Sequence, residues 1–149
     1  MAMTRLPQDF KEFLQLLHSH KVEYLLIGGF AVGCHGHPRA TGDIDIWVAM
    51  RPENAGRLVN LLREFGFAST PIDPAIFLQE KKVIRMGNSP LRIELLTSIS
   101  GVKFEECYSR RIVTTLDGVE VSVIGLEDLK ANKKASGRPK DLSDLDQLP

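Results

Sequence analysis

Apolar residues recur along this chain with two periods, one helical and one alternating, and the switches between them outline its elements. After Pro7, the residues Phe10, Phe13, Leu14, Leu16 and Leu17 fall at helical spacing and predict an opening amphipathic helix with proline in its first turn. Glu23-Tyr24-Leu25-Leu26-Ile27 reads as a short buried strand ending at Gly28-Gly29. A short helix from Phe30 to about His35 is expected next, stopped by Gly36-His37-Pro38. Asp43-Ile44-Asp45-Ile46-Trp47-Val48 alternates polar and apolar residues, then turns wholly apolar, the pattern of a second strand. Pro52 opens a helix whose apolar residues Ala55, Leu58, Val59, Leu61 and Leu62 keep the 3.6-residue period, and Gly66 closes it.

The second half carries hairpin signals. Lys82 to Met86 and Leu91 to Leu96 read as strands joined by the turn Gly87-Asn88-Ser89-Pro90. A helix is expected from about Val102 to Tyr108. Ile112 to Leu116 and Val119 to Val123 flank Asp117-Gly118, a dipeptide suited to a type I′ hairpin turn. Leu126 to Lys134 and Asp141 to Leu148 complete the chain as helices, with a break at Gly137-Arg138-Pro139. Helices alternate with strands early and hairpins dominate later, which predicts an α+β (α/β-like) fold, a mixed β-sheet flanked by helices.

Length and composition narrow this further. At 149 residues, without repeats or low-complexity linkers, the chain is expected to form a single domain, 1–149, with its C-terminal helices 126–148 packing on the sheet. Nineteen Lys and Arg residues balance nineteen Asp and Glu, a formal net charge of +0. That balance argues against nucleic-acid binding by bulk positive charge and leaves room for a local basic patch. Cys34 and Cys107 are too few for a disulfide framework. The N-terminal residues lack the apolar core of a signal peptide, and the longest apolar stretch, Tyr24 to Cys34, is broken by three glycines. A cytoplasmic protein that does not cross a membrane is the expectation.

Candidate chemistry gathers around residues 26–46. Paired glycines after a strand let backbone N–H groups approach a ligand closely, because no Cβ intervenes. Asp43 and Asp45 lie two apart on a strand and so share one face, about 6–7 Å apart along the chain. Two carboxylates on one face of an apolar strand repel each other unless a cation lies between them. Mg²⁺ suits that role, since it prefers one or two carboxylates together with phosphates and water. Glu94, inside the apolar run Leu91–Leu96, is a third acid; it either joins the pair or forms an ion pair with Arg92 or Arg85. Three convergent carboxylates could hold two metal ions for an in-line displacement.

Gly28-Gly29, a thirteen-residue gap, Asp43-x-Asp45 and a later strand acid resemble the DNA polymerase β-like nucleotidyltransferase superfamily. Its usual first motif is Gly-Ser followed by an Asp-x-Asp or Asp-x-Glu pair. The segment from Arg39 to Asp45, of the form Arg-x-Thr-x-Asp-Ile-Asp, is more similar to small bacterial nucleotidyltransferases of the abortive-infection toxin and lincosamide types. Leu126-Glu127-Asp128-Leu129, Lys133 and the run from Gly137 to Leu145 resemble the tail of the toxin-like group. The resemblance implies that Gly28 and Gly29 cradle a triphosphate, with a hydroxyl contact from Thr41. It implies that Asp43 and Asp45 bind metal, with Glu94 as third ligand and base, and that Lys133 contacts a nucleotide phosphate. Glycine at position 29 removes the serine hydroxyl of the wider superfamily, which leaves backbone donors at that point.

Several residues carry two readings. Arg39 either meets a phosphate bidentately or pairs with Asp43 or Asp45 when no ligand is bound. Asp141 either contacts the nucleotide, caps the last helix or pairs with Arg138. Cys34, His35 and His37 match no zinc spacing, and His35 and His37 are expected to be loop residues or to stand behind the residues that touch a ligand. Lys130, Lys133, Lys134, Arg138 and Lys140 form a basic run in which Lys133 leans toward the core side, while the others face solvent or a nucleic acid such as a tRNA end.

The expected activity is Mg²⁺-dependent transfer of a nucleoside monophosphate from an NTP, ATP among them, to an acceptor hydroxyl. The acceptor, whether protein, tRNA or small molecule, is not legible. A second chain, either another copy or an antitoxin-type partner, is expected to complete the cleft. The rival reading is a non-catalytic nucleotide-binding or toxin–antitoxin interaction protein with the same fold.

Overall fold

The computed structural model describes residues 5–67, 72–87 and 91–149. The opening helix α1 spans Gln8–Ser19 and buries Phe10, Phe13, Leu14, Leu16 and Leu17, the stripe that its period predicts. Strand β1, Tyr24–Ile27, is buried throughout. Helix α2, Gly28–Cys34, begins two residues before the expected Phe30, so both glycines lie in its first turn. Strand β2, Asp43–Val48, follows a loop, and helix α3, Pro52–Leu62, opens on its proline.

Buried Asn54 fixes α3 to the ends of β1 and β2. Its Oδ1 accepts from the Glu23 N–H at 2.7 Å, and its Nδ2 donates to the carbonyls of Glu23 (3.0 Å) and Ala49 (2.9 Å). A buried amide with every partner supplied ties three segments together without leaving a polar group unpaired. Gly66, expected to end this helix, breaks it at φ 123, a non-helical conformation in the turn Arg63–Phe67 that follows Leu62. A 3₁₀ turn, Pro74–Leu78, was not expected. It is too short for periodicity to reveal, and is set by its leading proline and by Asp73, whose side chain accepts from the Ala75 N–H.

Strands β3 (Val83–Met86) and β4 (Arg92–Leu96) pair antiparallel as expected; Asn88, Ser89 and Pro90 of the connecting turn lie outside the described residues. Helix α4 (Phe104–Ser109) leads to β5 (Ile112–Leu116) and β6 (Val119–Val123), joined by Asp117 and Gly118, both at positive φ as a type I′ turn requires. Helix α5 (Leu126–Ser136) ends at Gly137 in the left-handed conformation. Helix α6 (Pro139–Gln147) starts two residues before the expected Asp141, because the Asp141 carboxylate accepts from the backbone N–H and the Nε of Arg138 and so closes the first turn.

Among the described residues the six strands form one sheet, in the order β3-β4-β2-β1-β6-β5. β1 runs antiparallel to β2 and parallel to β6, while β2 runs parallel to β4. The fold is therefore the mixed-sheet α+β class. Ile44, Ile46 and Val48 of β2 and Ile93 and Leu95 of β4 are buried on one face, in a core continuous with α1 and α3. Asp43, Asp45, Arg92 and Glu94 alternate with them and share the opposite, half-buried face. Helices α5 and α6 pack against each other, with Leu129 and Leu148 in the core. No described helix is long and apolar enough to cross a membrane.

Candidate active site

Strand pairing decides which acids meet. In the parallel register of β2 and β4, Asp45 stands opposite Glu94 and Asp43 opposite Arg92. Arg92 reaches Asp43 through Nε at 3.3 Å and Nη2 at 3.4 Å. On the other side of β4, Arg85 is the register partner of Glu94, with its Nε 3.5 Å from Oε2. Of the two arginines that the sequence offers Glu94, the structure pairs Arg85 with it and gives Arg92 to Asp43.

Asp45 and Glu94 are held away from their ordinary ionisation. Burial pushes Asp45 upward and the charge of Asp43 adds to it, against the pull of Lys140, Lys133 and Arg138. Burial also raises Glu94, followed by the charge of Asp45 and a hydrogen bond with Asp43, while Arg85 opposes the shift. Both resist losing a proton, first because burial disfavours the charged form and then because neighbouring carboxylates add like charge. A shared cation relieves that conflict, so the donor chemistry fits Mg²⁺. Among the described residues, no three His, Cys, Asp or Glu side chains are drawn into a metal cage of their own. That arrangement suits an ion that takes one or two carboxylates and completes its shell with substrate phosphates and water.

The two glycines are explained by what lies against them. Gly28 sits at φ 68, and a Cβ there would overlap Oδ2 of Asp45. At Gly29 a Cβ would stand 3.0 Å from Thr41 Oγ1 and 3.2 Å from Arg39 Nη1, tighter than most such contacts. The Thr41 hydroxyl donates to the carbonyl of Asp43 at 3.1 Å, tying this loop to the start of β2. Glycine at position 29 thus admits a hydroxyl and a guanidinium beside the first turn of α2.

Facing the acids is a chain of alternating charges with Lys133, Asp141 and Asp144 buried at its centre. Arg39 does not pair with Asp43 or Asp45, the alternative that the sequence left open. It grips Asp144 of α6 in a bidentate pair, Nε to Oδ1 and Nη2 to Oδ2, both at 2.9 Å. Lys133, only 4% exposed, lies 2.9 Å from Asp144 Oδ2 and 3.4 Å from Asp141 Oδ1. Arg138 holds Asp141 through Nε at 2.8 Å. Burial alone would raise Asp141 and Asp144, but hydrogen bonds and charge from Arg138 at the first and from Arg39 and Lys133 at the second more than offset it. Both end below the usual carboxylate range. Asp141 thereby fills two of its open roles, capping α6 and pairing with Arg138.

Both walls line one cavity of about 720 Å³, bordered by Gly28, Arg39, Thr41, Asp43, Asp45, Glu94 and Lys133, with Arg138, Lys140 and Asp141 at its C-terminal side. Lys133 is the buried member of the basic run, and Lys134, Arg138 and Lys140 are exposed. Gly29 lines the adjoining groove, which shares Arg39 and Thr41 with this cavity. Metal and phosphate groups would find opposite charges on facing sides. Asp144 was missed as a site residue by the sequence reading. His35 and Cys34 do not line this cavity: His35 Nε2 lies 2.7 Å from the Ile124 carbonyl, and Cys34, whose thiol is raised by burial, lines the adjoining groove.

Residues 3–148 match the family described as nucleotidyltransferase of unknown function, DUF6036. The chain belongs to this family. No curated protein matches it. Its fold is similar to that of a candidate nucleotidyltransferase from Thermotoga maritima, with TM-score 0.59 and 16% identity over 93% of this chain and 88% of that one. It is also similar to an antigenic nucleotidyltransferase-like protein from Paracoccidioides brasiliensis, with TM-score 0.54 and 17% identity over 95% of this chain and 76% of that one. At such identities the two structures speak for the fold, and family membership rests on the match along the chain.

Proposed function

We propose that this member of the family transfers a nucleoside monophosphate from an NTP to an acceptor hydroxyl, and that Asp43, Asp45 and Glu94 would hold two Mg²⁺ ions between them, with one or two carboxylates to each ion. The observation that carries this reading is the register of Asp45 opposite Glu94, beside Asp43, across one cavity from Lys133 and Arg39. When bound, Mg²⁺ neutralises phosphate charge and lowers the pKa of a coordinated hydroxyl. The rest falls to the chain. Gly28 and Gly29 open space for the triphosphate, Thr41 offers a hydroxyl, and Arg39 and Lys133 bring positive charge to the phosphates.

In the reaction the acceptor oxygen forms a bond to the α-phosphorus, the bond from that phosphorus to the bridging oxygen breaks, and pyrophosphate leaves. The acceptor proton passes to Glu94, which stands opposite Asp45 in the strand register and lines the same cavity. Catalysis of this kind is positioning and charge neutralisation. An assay with α-labelled NTP tests it: label should move to an acceptor with Mg²⁺, and the double variant Asp43→Asn/Asp45→Asn should move none. Unchanged transfer by that variant would overturn the mechanism. Offering protein, tRNA and small hydroxylated molecules in turn identifies the acceptor class.

One observation favours the rival reading of a non-catalytic nucleotide-binding protein. Arg92 and Arg85 occupy Asp43 and Glu94, so two of the three acids already have cationic partners. Calorimetry with NTP and Mg²⁺ that shows binding, alongside an absence of transfer to any acceptor, would establish that alternative.

A further inference from the structure

Helix α6 inverts the usual polarity at three positions. Leu142 is 48% exposed, while Asp141 and Asp144 are 1% and 3% exposed, so the helix buries two acids and shows a leucine to solvent. Such burial needs a reason, since carboxylates are almost never fully buried unless paired. Asp144 has two partners on two different segments. Its Oδ1 accepts from Arg39 Nε, and its Oδ2 accepts from Arg39 Nη2 and from Lys133 Nζ, each at 2.9 Å.

The grip determines how Arg39 is presented. With Nε and Nη2 committed to Asp144, the remaining terminal nitrogen, Nη1, lies against Gly29, 3.2 Å from where a Cβ would stand. Thr41 Oγ1 meets the same point at 3.0 Å. One carboxylate also keeps the Arg39 and Lys133 cations from repelling each other while both line the cavity.

We infer that Asp144 is a positioning residue: by holding Arg39 and Lys133 on one carboxylate, it builds the cationic wall that receives the polyphosphate of the substrate. The inference rests on the reading of the cavity as an NTP site and adds to it the residue that sets its affinity. Asp144 itself touches no phosphate and acts through its two cations. Its loss lets the guanidinium turn away, so binding weakens while the acids on β2 and β4 stay in place.

The test uses inorganic tripolyphosphate in the presence of a chelator, which reads the cationic wall apart from any metal. Asp144→Asn should weaken tripolyphosphate binding about 10–100-fold by calorimetry, and should raise KM for NTP with kcat changed less than about threefold. Asp144→Glu should recover part of the loss. In an Arg39→Met background, Asp144→Asn should cost clearly less than it does in the wild type, because only the route through Lys133 remains. Wild-type affinity in Asp144→Asn would overturn the assignment, as would full additivity in the Arg39→Met background. If the wild type binds tripolyphosphate tightly but transfers no nucleotide, the proposed activity fails and the positioning role of Asp144 stands.

Discussion

Gly28 and Asp45 occupy mutually exclusive space: the Asp45 carboxylate lies where any side chain at position 28 would begin, and Gly28 holds φ 68. The strand acid and the first residue of α2 are thus fitted to each other. Gly28→Ala should displace the Asp45 carboxylate and reduce nucleotidyl transfer at least about 100-fold, since small misplacements of reacting groups cost rates of that order. Left-handed strain adds about 1–2 kcal/mol of destabilisation. Steady-state kinetics and urea unfolding of the variant measure the two effects separately.

Asp45→Asn should separate stability from activity. Removing a buried charge beside Asp43 and Glu94 should stabilise the metal-free protein by about 0.5–2 kcal/mol, which is about 2–4 °C in Tm per kcal/mol for a chain of this size. Transfer should be lost in the same variant. Scanning calorimetry in chelator, paired with the labelled-NTP assay, checks both halves.

The pH dependence of stability has a definite sign at this site. Asp45 and Glu94 bind protons more tightly folded than unfolded. Their contribution is therefore complete below the unfolded carboxylate value, about 4, and is lost as pH rises through their raised folded values. A divalent cation offsets that loss, so the gain in Tm on adding Mg²⁺ should grow from pH 5 to pH 8. An equal gain across that range would count against the acids as the cation's site.

Asp141 and Asp144 behave in the opposite sense. Their folded values are lowered, so their contribution is present above the unfolded value of about 3.9 and is lost as pH falls through the folded ones. Lys133→Met removes a cation that both share. It should destabilise the protein by about 3–5 kcal/mol at pH 7, because buried charge is left uncompensated. The difference from wild type should shrink toward pH 3, as urea titrations at the two pH values would show.

Local patterns made much of this fold legible. The alternation in Asp43–Val48 and the Asp117-Gly118 turn placed β2 and the last hairpin, because each depends on residues close in sequence. The start of α2 was hidden because Gly28 and Gly29 read as a stop; their presence answers to Asp45, Thr41 and Arg39, far along the chain or on a separate loop. Which arginine pairs with Glu94 depends on strand order, a non-local property. Asp144 escaped notice for a physical reason: hydrophobic patterning assumes that acids face water, and α6 reverses that rule to partner Arg39 and Lys133. The available signal was two acids three residues apart following a run of cations, a spacing that puts both on one helical face.

Under the proposed function, the acids on β2 and β4 support transfer of a nucleoside monophosphate with release of pyrophosphate. The direct measurement is the pyrophosphate formed per NTP consumed, followed beside label incorporation in wild type and Asp45→Asn. One pyrophosphate per nucleotide transferred in the wild type, with a loss of at least about 1,000-fold in the variant, is the predicted result. Release of inorganic phosphate in place of pyrophosphate, or equal activity in Asp45→Asn, would contradict it.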